Sequence, residues 1–152
     1  MAIEVGQKAP EFGLKDQNGE LVKLSDYLGK KNVVLSFHPL AWTSVCAAQM
    51  LHLHFTEEEF AKRDTVVFGV SVDSVPSKAA WAKALGLGNL RILADFHPKG
   101  NVAEKYGLLR REGVSERAVV LIDKEGIVRW VKVYPVKEVP MPQDVLEAID
   151  RL

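Results

Sequence analysis

The chain has 152 residues, 47% of them hydrophobic and 26% charged, which suits one domain, residues 1–152, around one sizeable core and excludes a disordered chain. Twenty basic residues balance twenty acidic ones for a formal net charge of zero, which speaks against a general nucleic-acid or anionic-membrane surface. No apolar run reaches the roughly 18–20 residues of a membrane span, and "MAIEVGQKAPEF" reads as no secretory leader, so the expected compartment is the cytoplasm.

In chain order, "EFGLKD" and "ELVKLSDY" are short extended pieces around "QNG", a hairpin-type turn at Gln17 to Gly19. Ser25 or Asp26 is then expected to cap a short helical turn that stops at Gly29. "KNVVLSF", Lys31 to Phe37, is a β-branched apolar run of strand length, the pattern of a strand buried on both faces, and Pro39 breaks it. From Thr43 the period changes, and Val45, Met50, Leu53, Phe55 and Phe60 predict one helix of four or five turns to about Arg63. "TVVFGVSVD" is a second buried strand, and "VPSKAAWAKALGL" a helix with Pro76 in its first turn and Gly86 or Gly88 as its stop. "RILAD" is a short strand and "GNVAEKYGL" a short helix ending at Gly107. "RAVVLIDKEGIVRWVKVY" is a pair of strands joined at Lys124 to Gly126. "MPQDVLEAIDRL" is a helix with Leu146, Ile149 and Leu152 on one stripe.

The order hairpin, β, α, β, α, β, α, β, β, α predicts an α/β fold, a mixed central sheet flanked by helices and preceded by an N-terminal β-hairpin. No repeat or linker divides it.

The single cysteine, Cys46, cannot build a disulfide framework or a cysteine-rich zinc site. By itself it reads as a small buried hydrophobe. Its place argues for more: in the first turn of the long helix, unpaired N–H groups and the positive dipole end favour an anion. A thiol there is expected to ionise below the roughly 8.5 of free cysteine. Thr43 stands one helical turn earlier, where its hydroxyl is expected beside the sulfur. Arg117 opens a strand expected next to the one before the Cys46 loop, where a permanent cation would hold a thiolate. Pro39 fixes φ, lacks an N–H and shapes that loop. Taken singly, Thr43 reads equally as an N-cap, Pro39 as a strand terminator and Arg117 as a hairpin surface residue.

Pro39-Leu40-Ala41-Trp42-Thr43-Ser44-Val45-Cys46 fits Pro-x-x-x-Thr-x-x-Cys, lying between a buried strand and a long helix. This resembles the peroxiredoxins, thiol peroxidases built on the thioredoxin fold. The segments "GQKAPEFGLKDQNGELVKLSDYLGKKNVVLSF", "TVVFGVSVDS" and "SERAVVLIDKEGIVRW" look like the family's opening, its second core strand and its late arginine-bearing hairpin. Length and layout look like the group around bacterioferritin comigratory protein and the one-cysteine alkyl hydroperoxide reductases. The resemblance implies a thioredoxin-like fold, a catalytic set of Cys46, Thr43, Arg117 and Pro39, and no cofactor. It also implies reduction of hydrogen peroxide or organic hydroperoxides through a sulfenic acid, and a homodimer as one arrangement.

Two positions depart from the family. Gln49 stands where a carboxylate or amide partner is often found, and is expected to bridge the threonine and arginine. No second cysteine exists: relatives carry a resolving cysteine where this chain has Leu51 or Ser77. Sulfenic Cys46 must then be recycled by an outside thiol of thioredoxin, glutaredoxin or low-molecular-weight type, or by another chain.

The remaining signals are weaker. His52 and His54 in "HLH" point about 200° apart on a helix and make no shared metal site. His38 reads as a loop histidine packing locally at the edge of the active-site loop. Trp42, Trp81 and Trp130 are packing residues first, with Trp42 the one expected near the thiol, as a pocket wall or dimer contact. A disulfide oxidoreductase would want Cys-x-x-Cys where the chain has "TSVC". A peroxide sensor or holdase, in which oxidised Cys46 alters a partner interface, is the alternative use of the same fold.

Overall fold

The computed structural model describes residues 1–152. Strands β1 (Gly13–Lys15) and β2 (Leu21–Lys23) form the N-terminal hairpin. The Asp16 carboxylate accepts the N–H groups of Asn18 and Glu20 in their turn, an arrangement that favours Asp there. A single 3-10 turn follows at Leu24–Asp26. Asp26 does not start it as a cap; its carboxylate reaches back to the Lys23 N–H at 3.2 Å. The fully buried β3 (Asn32–Phe37) leads to α1 (Ser44–Phe55) and α2 (Glu57–Ala61), then β4 (Thr65–Ser71), α3 (Val75–Leu85), β5 (Arg91–Ala94) and α4 (Asn101–Lys105). The antiparallel strands β6 (Arg117–Ile122) and β7 (Val128–Tyr134) precede α5 (Pro142–Asp150).

Two details differ from the sequence reading. The helix expected to run unbroken to Arg63 is interrupted at Thr56 (φ −114, ψ 9). The Thr56 hydroxyl donates back to the His52 carbonyl at 2.7 Å, a side-chain bond that competes with the backbone ladder. In α5, Val145, Leu146, Ala148 and Ile149 are buried, whereas Leu152 lies beyond the helix end and is half exposed.

The seven strands run in the order β2-β1-β5-β4-β3-β6-β7. β3 pairs parallel with β4 and antiparallel with β6, so both its edges are hydrogen-bonded inside the sheet. Side chains alternate faces along a strand, which divides the core in two. Val33, Leu35 and Phe37 join Phe12, Val70, Tyr106 and Val120 on one face. Val34 joins Met50, Leu53, Phe60, Trp81, Leu121 and Leu146 on the other. The crossovers through α1 and α3 both lie on this second face, and Cys46 is part of its core. Helix α1 lies close to the sheet because β4 has no side chain at Gly69. A Cβ there would overlap Met50 Sδ and come within 2.9 Å of Ile92 Cγ2.

The parity has a consequence for chemistry. Ser36 and His38, Ser71, and Arg117 sit at even steps from Val34, Val67 and Val119, hence on the helix-covered face. They gather at the C-terminal ends of β3 and β4 and at the start of the antiparallel β6. The crevice outside the carboxyl ends of parallel strands is where open α/β sheets place ligands. No helix is long and apolar enough to cross a membrane.

Candidate active site

Helix α1 begins with Thr43 as its N-cap residue, extended at φ −107 and ψ 152, with its carbonyl accepting the Ala47 N–H at 2.9 Å. Cys46 is therefore the third residue of the helix, at the positive end of the dipole, and is fully buried. Arg117, the first residue of β6 and 3% exposed, reaches across from the neighbouring strand. Its Nη1 donates to Cys46 Sγ at 3.2 Å and to Gln49 Oε1 at 2.8 Å, and its Nε donates to the Val136 carbonyl at 2.8 Å. The planar fork serves all three acceptors, which a lysine could not do.

Gln49, one turn after Cys46 and buried, fixes that fork. Its Nε2 donates to Ser36 Oγ at 2.7 Å and to the Phe37 carbonyl at 3.1 Å, while its Oε1 accepts from Arg117. Gln49 thus ties Arg117 to the end of β3 and not to Thr43. The Thr43 hydroxyl also differs from expectation. It is exposed, makes no hydrogen bond to Cys46 and donates to the Leu40 carbonyl at 2.7 Å. Short-range bonding within the loop wins over the sulfur, and the hydroxyl leaves the helix N-terminus without a side-chain cap. Pro39 is half-buried directly after His38.

Trp42 stands directly before Thr43 in the loop that opens α1. It adopts φ +69, a left-handed conformation that a bulky residue rarely takes. It is 56% exposed, and its Nε1 donates to Ser77 Oγ at 3.1 Å. Ser77 sits in the first turn of α3, its N–H donating to the Ser74 hydroxyl. Leu51, the other place where a relative's second cysteine would stand, is in the middle of α1.

Lys78 is not singled out by the sequence, whereas His38 reads there as a loop histidine packing locally. Lys78, on α3, is fully buried and donates to Ser71 Oγ at 2.5 Å. Burial pushes its ammonium down to about 7 against the pull of Asp73, Cys46 and Asp95. His38 is fully buried, its ring 5.4 Å from that of Trp81, and its Nε2 has no partner. Burial, with the positive charge of Lys78 and Arg117, holds it well below the usual histidine range and so neutral. The sequence carried a signal for Lys78: it shares the stripe of Trp81, Ala82 and Leu85 at helical spacing, where an apolar residue is expected.

A buried thiol at a helix N-terminus, hydrogen-bonded to an arginine, is the arrangement of a nucleophilic thiolate with a donor aimed at it. Comparison with known proteins agrees. Residues 5–131 match the model of the "AhpC/TSA family". Alkyl hydroperoxide reductase E of Mycobacterium bovis is 37% identical over 131 residues, covering 86% of this chain and 85% of the relative. Peroxiredoxin Bcp of Bacillus subtilis is 39% identical over 139 residues, 88% of each chain. Among solved structures, the reduced 2-Cys peroxiredoxin of Plasmodium vivax superposes with a TM-score of 0.88 at 33% identity, covering 97% of this chain and 81% of that one. The chain belongs to the AhpC/TSA family and is a thioredoxin-fold peroxiredoxin.

Proposed function

We propose that Cys46 is the peroxide-reactive thiolate of this thiol-dependent peroxidase, with Arg117, Thr43 and Pro39 completing the catalytic set and Gln49 supporting it. The observation that carries this reading is the Arg117 Nη1 to Cys46 Sγ hydrogen bond at 3.2 Å, inside the first turn of α1. The thiolate attacks one oxygen of ROOH; the S–O bond forms as the O–O bond breaks, and the electron pair leaves with RO⁻, which takes a proton to become ROH. Arg117 holds the thiolate and donates to the oxygen on which charge develops. The Thr43 donor is committed to Leu40, so its oxygen is free to accept from the peroxide O–H. Pro39 presents no N–H that would need water in the loop.

Cys46 sulfenic acid then condenses with an external thiol, releasing water, and a second thiol restores Cys46 and leaves as the disulfide. The chain has no other cysteine, so the reductant is a separate thiol of thioredoxin, glutaredoxin or low-molecular-weight type. That requirement supports residence in the cytoplasm, where thiols are kept reduced. We place the lost resolving position at Ser77, supported by its hydrogen bond to Trp42 at the entrance to α1. A homodimer through the surface around the site is supported by the exposed apolar side chains of Leu40, Trp42, Val136 and Met141, and a molar-mass measurement in solution tests it.

The deciding experiment mixes reduced protein with one equivalent of hydrogen peroxide and a sulfenic-acid trap and reads the intact mass. A stoichiometric adduct on Cys46, absent in Cys46→Ser, is expected; peroxide consumption that survives in Cys46→Ser would refute the assignment.

A further inference from the structure

Lys78 is a buried cation without an ion pair. Its one hydrogen-bond acceptor is Ser71 Oγ, at the end of β4. Ser71 in turn donates to Asp73 Oδ2 at 2.6 Å, and the same carboxylate oxygen accepts the Ala41 N–H at 2.8 Å. A polar chain therefore runs from Lys78 through Ser71 and Asp73 into the loop that opens α1. The register puts Ser71 and Arg117 on opposite sides of β3: Phe37 pairs with Val70 on one flank and with Ala118 on the other. His38, the next residue of the chain, lies between the two cations and is neutral for that reason as well as for its burial.

Burying a lysine without a carboxylate partner is unfavourable in a way that an apolar side chain of similar volume would not be. A residue kept only for packing at this position on the Trp81 stripe would be apolar. The groups facing Lys78 are Asp73 after β4, Asp95 after β5, Cys46 on α1 and His38 after β3. Of these, Cys46 is the one that acquires negative charge for the reaction.

We propose that Lys78 is a positioning residue of the peroxidase reaction, held by Ser71 and Asp73 so that its ammonium backs the Cys46 thiolate from the side of β3 opposite Arg117. Two cations, Arg117 on β6 and Lys78 on α3 bonded to the end of β4, then share the thiolate, one by direct hydrogen bond and one through the field alone. Ionisation of the thiol and protonation of the lysine favour each other, so the pair is most polar when the nucleophile is ready.

The inference rests on Cys46 being the peroxide-reactive thiol, and its test separates the two. The rate constant for hydrogen peroxide is measured by stopped-flow tryptophan fluorescence, from acidic to mildly alkaline pH, in the wild type and in Lys78→Met. In the variant the midpoint of the rate rise is expected to move up by about one pH unit, the low end of what a nearby opposite charge supplies. That leaves about a tenfold slower reaction on the acid side and an unchanged alkaline plateau. The same variant is expected to unfold at higher urea, as the loss of a buried unpaired charge predicts. Superimposable profiles, or a uniform drop at all pH values, would overturn the proposal, because loosened packing lowers the rate without moving the midpoint. Should Lys78→Met fail to fold, Ser71→Ala cuts the chain while leaving the charge. A smaller upward movement is then expected, and none at all overturns the proposal. A wild type that does not react overturns the Cys46 assignment and this inference together; a reactive wild type with an unmoved variant overturns this inference alone.

Discussion

Replacing Arg117 by methionine removes the side chain that hydrogen-bonds to the Cys46 sulfur, and the geometry sets the size of the loss. Three hydrogen bonds go: to Cys46 Sγ at 3.2 Å, to Gln49 Oε1 at 2.8 Å and to the Val136 carbonyl at 2.8 Å. The bond aimed at the reacting centre governs the rate. A single such donor supplies roughly 2.7–4 kcal/mol of transition-state stabilisation, or about 10²–10³ in rate. The other two govern stability, since Gln49 Oε1 and the Val136 carbonyl lose their donor at about 1–3 kcal/mol each, partly offset by the apolar methionine. Arg117→Met is therefore expected to be at least about a hundredfold slower toward hydrogen peroxide by stopped-flow fluorescence, and measurably less stable in urea. Arg117→Lys keeps the charge but cannot reach sulfur, glutamine and carbonyl together, and is expected to recover only a fraction of the rate. An Arg117→Met protein that is folded and reacts within about threefold of the wild type would refute the reasoning, because that corresponds to less than 1 kcal/mol at the barrier.

Four further outcomes are expected. Gln49→Leu cuts the three bonds that tie Arg117 to Ser36 and Phe37 and should lower stability by about 2–4 kcal/mol, read as a lower urea midpoint, with a slower peroxide reaction beside it. Gly69→Ala places a methyl group into Met50 and Ile92 beneath α1, and calorimetry should show a loss of about 1–3 kcal/mol from overpacking. Ser77→Cys, oxidised by one equivalent of peroxide without reductant, should yield an intrachain disulfide to Cys46 detectable by peptide mass mapping; a stable sulfenic acid instead would argue against Ser77 as the lost resolving position. Stability should also rise with pH between about 7 and the ordinary lysine range. Lys78 gives up its proton near 7 in the folded protein, the unfolded chain holds that proton until about 10.5, and raising the pH therefore favours the folded state within that window. Below about 7 both states carry the proton and this contribution is constant. Urea midpoints against pH should show the slope in the wild type and not in Lys78→Met.

The sequence by itself determined the strands, most helices and the place of the single cysteine in the first turn of α1, because those rest on local signals. The β-branched run at 32–37, Pro76 and Gly86 at the two ends of α3, and the Pro-x-x-x-Thr-x-x-Cys spacing are each legible within a few residues. It did not show the break at Thr56, where one hydroxyl bond to His52 outweighs a continuous apolar pattern. Only the tertiary structure decided what surrounds the sulfur. Whether Thr43 turns to Cys46 or to Leu40 depends on which acceptor the folded loop brings nearer, and Leu40 wins. That Arg117, Gln49 and Ser36 form one hydrogen-bonded unit depends on the antiparallel register of β3 and β6, which joins residues about eighty apart in the chain and which no local pattern encodes. Lys78 shows the difference most plainly: in the sequence it is one polar residue on a helix stripe, and only the packing of α3 against the sheet makes it a buried side chain bonded to Ser71.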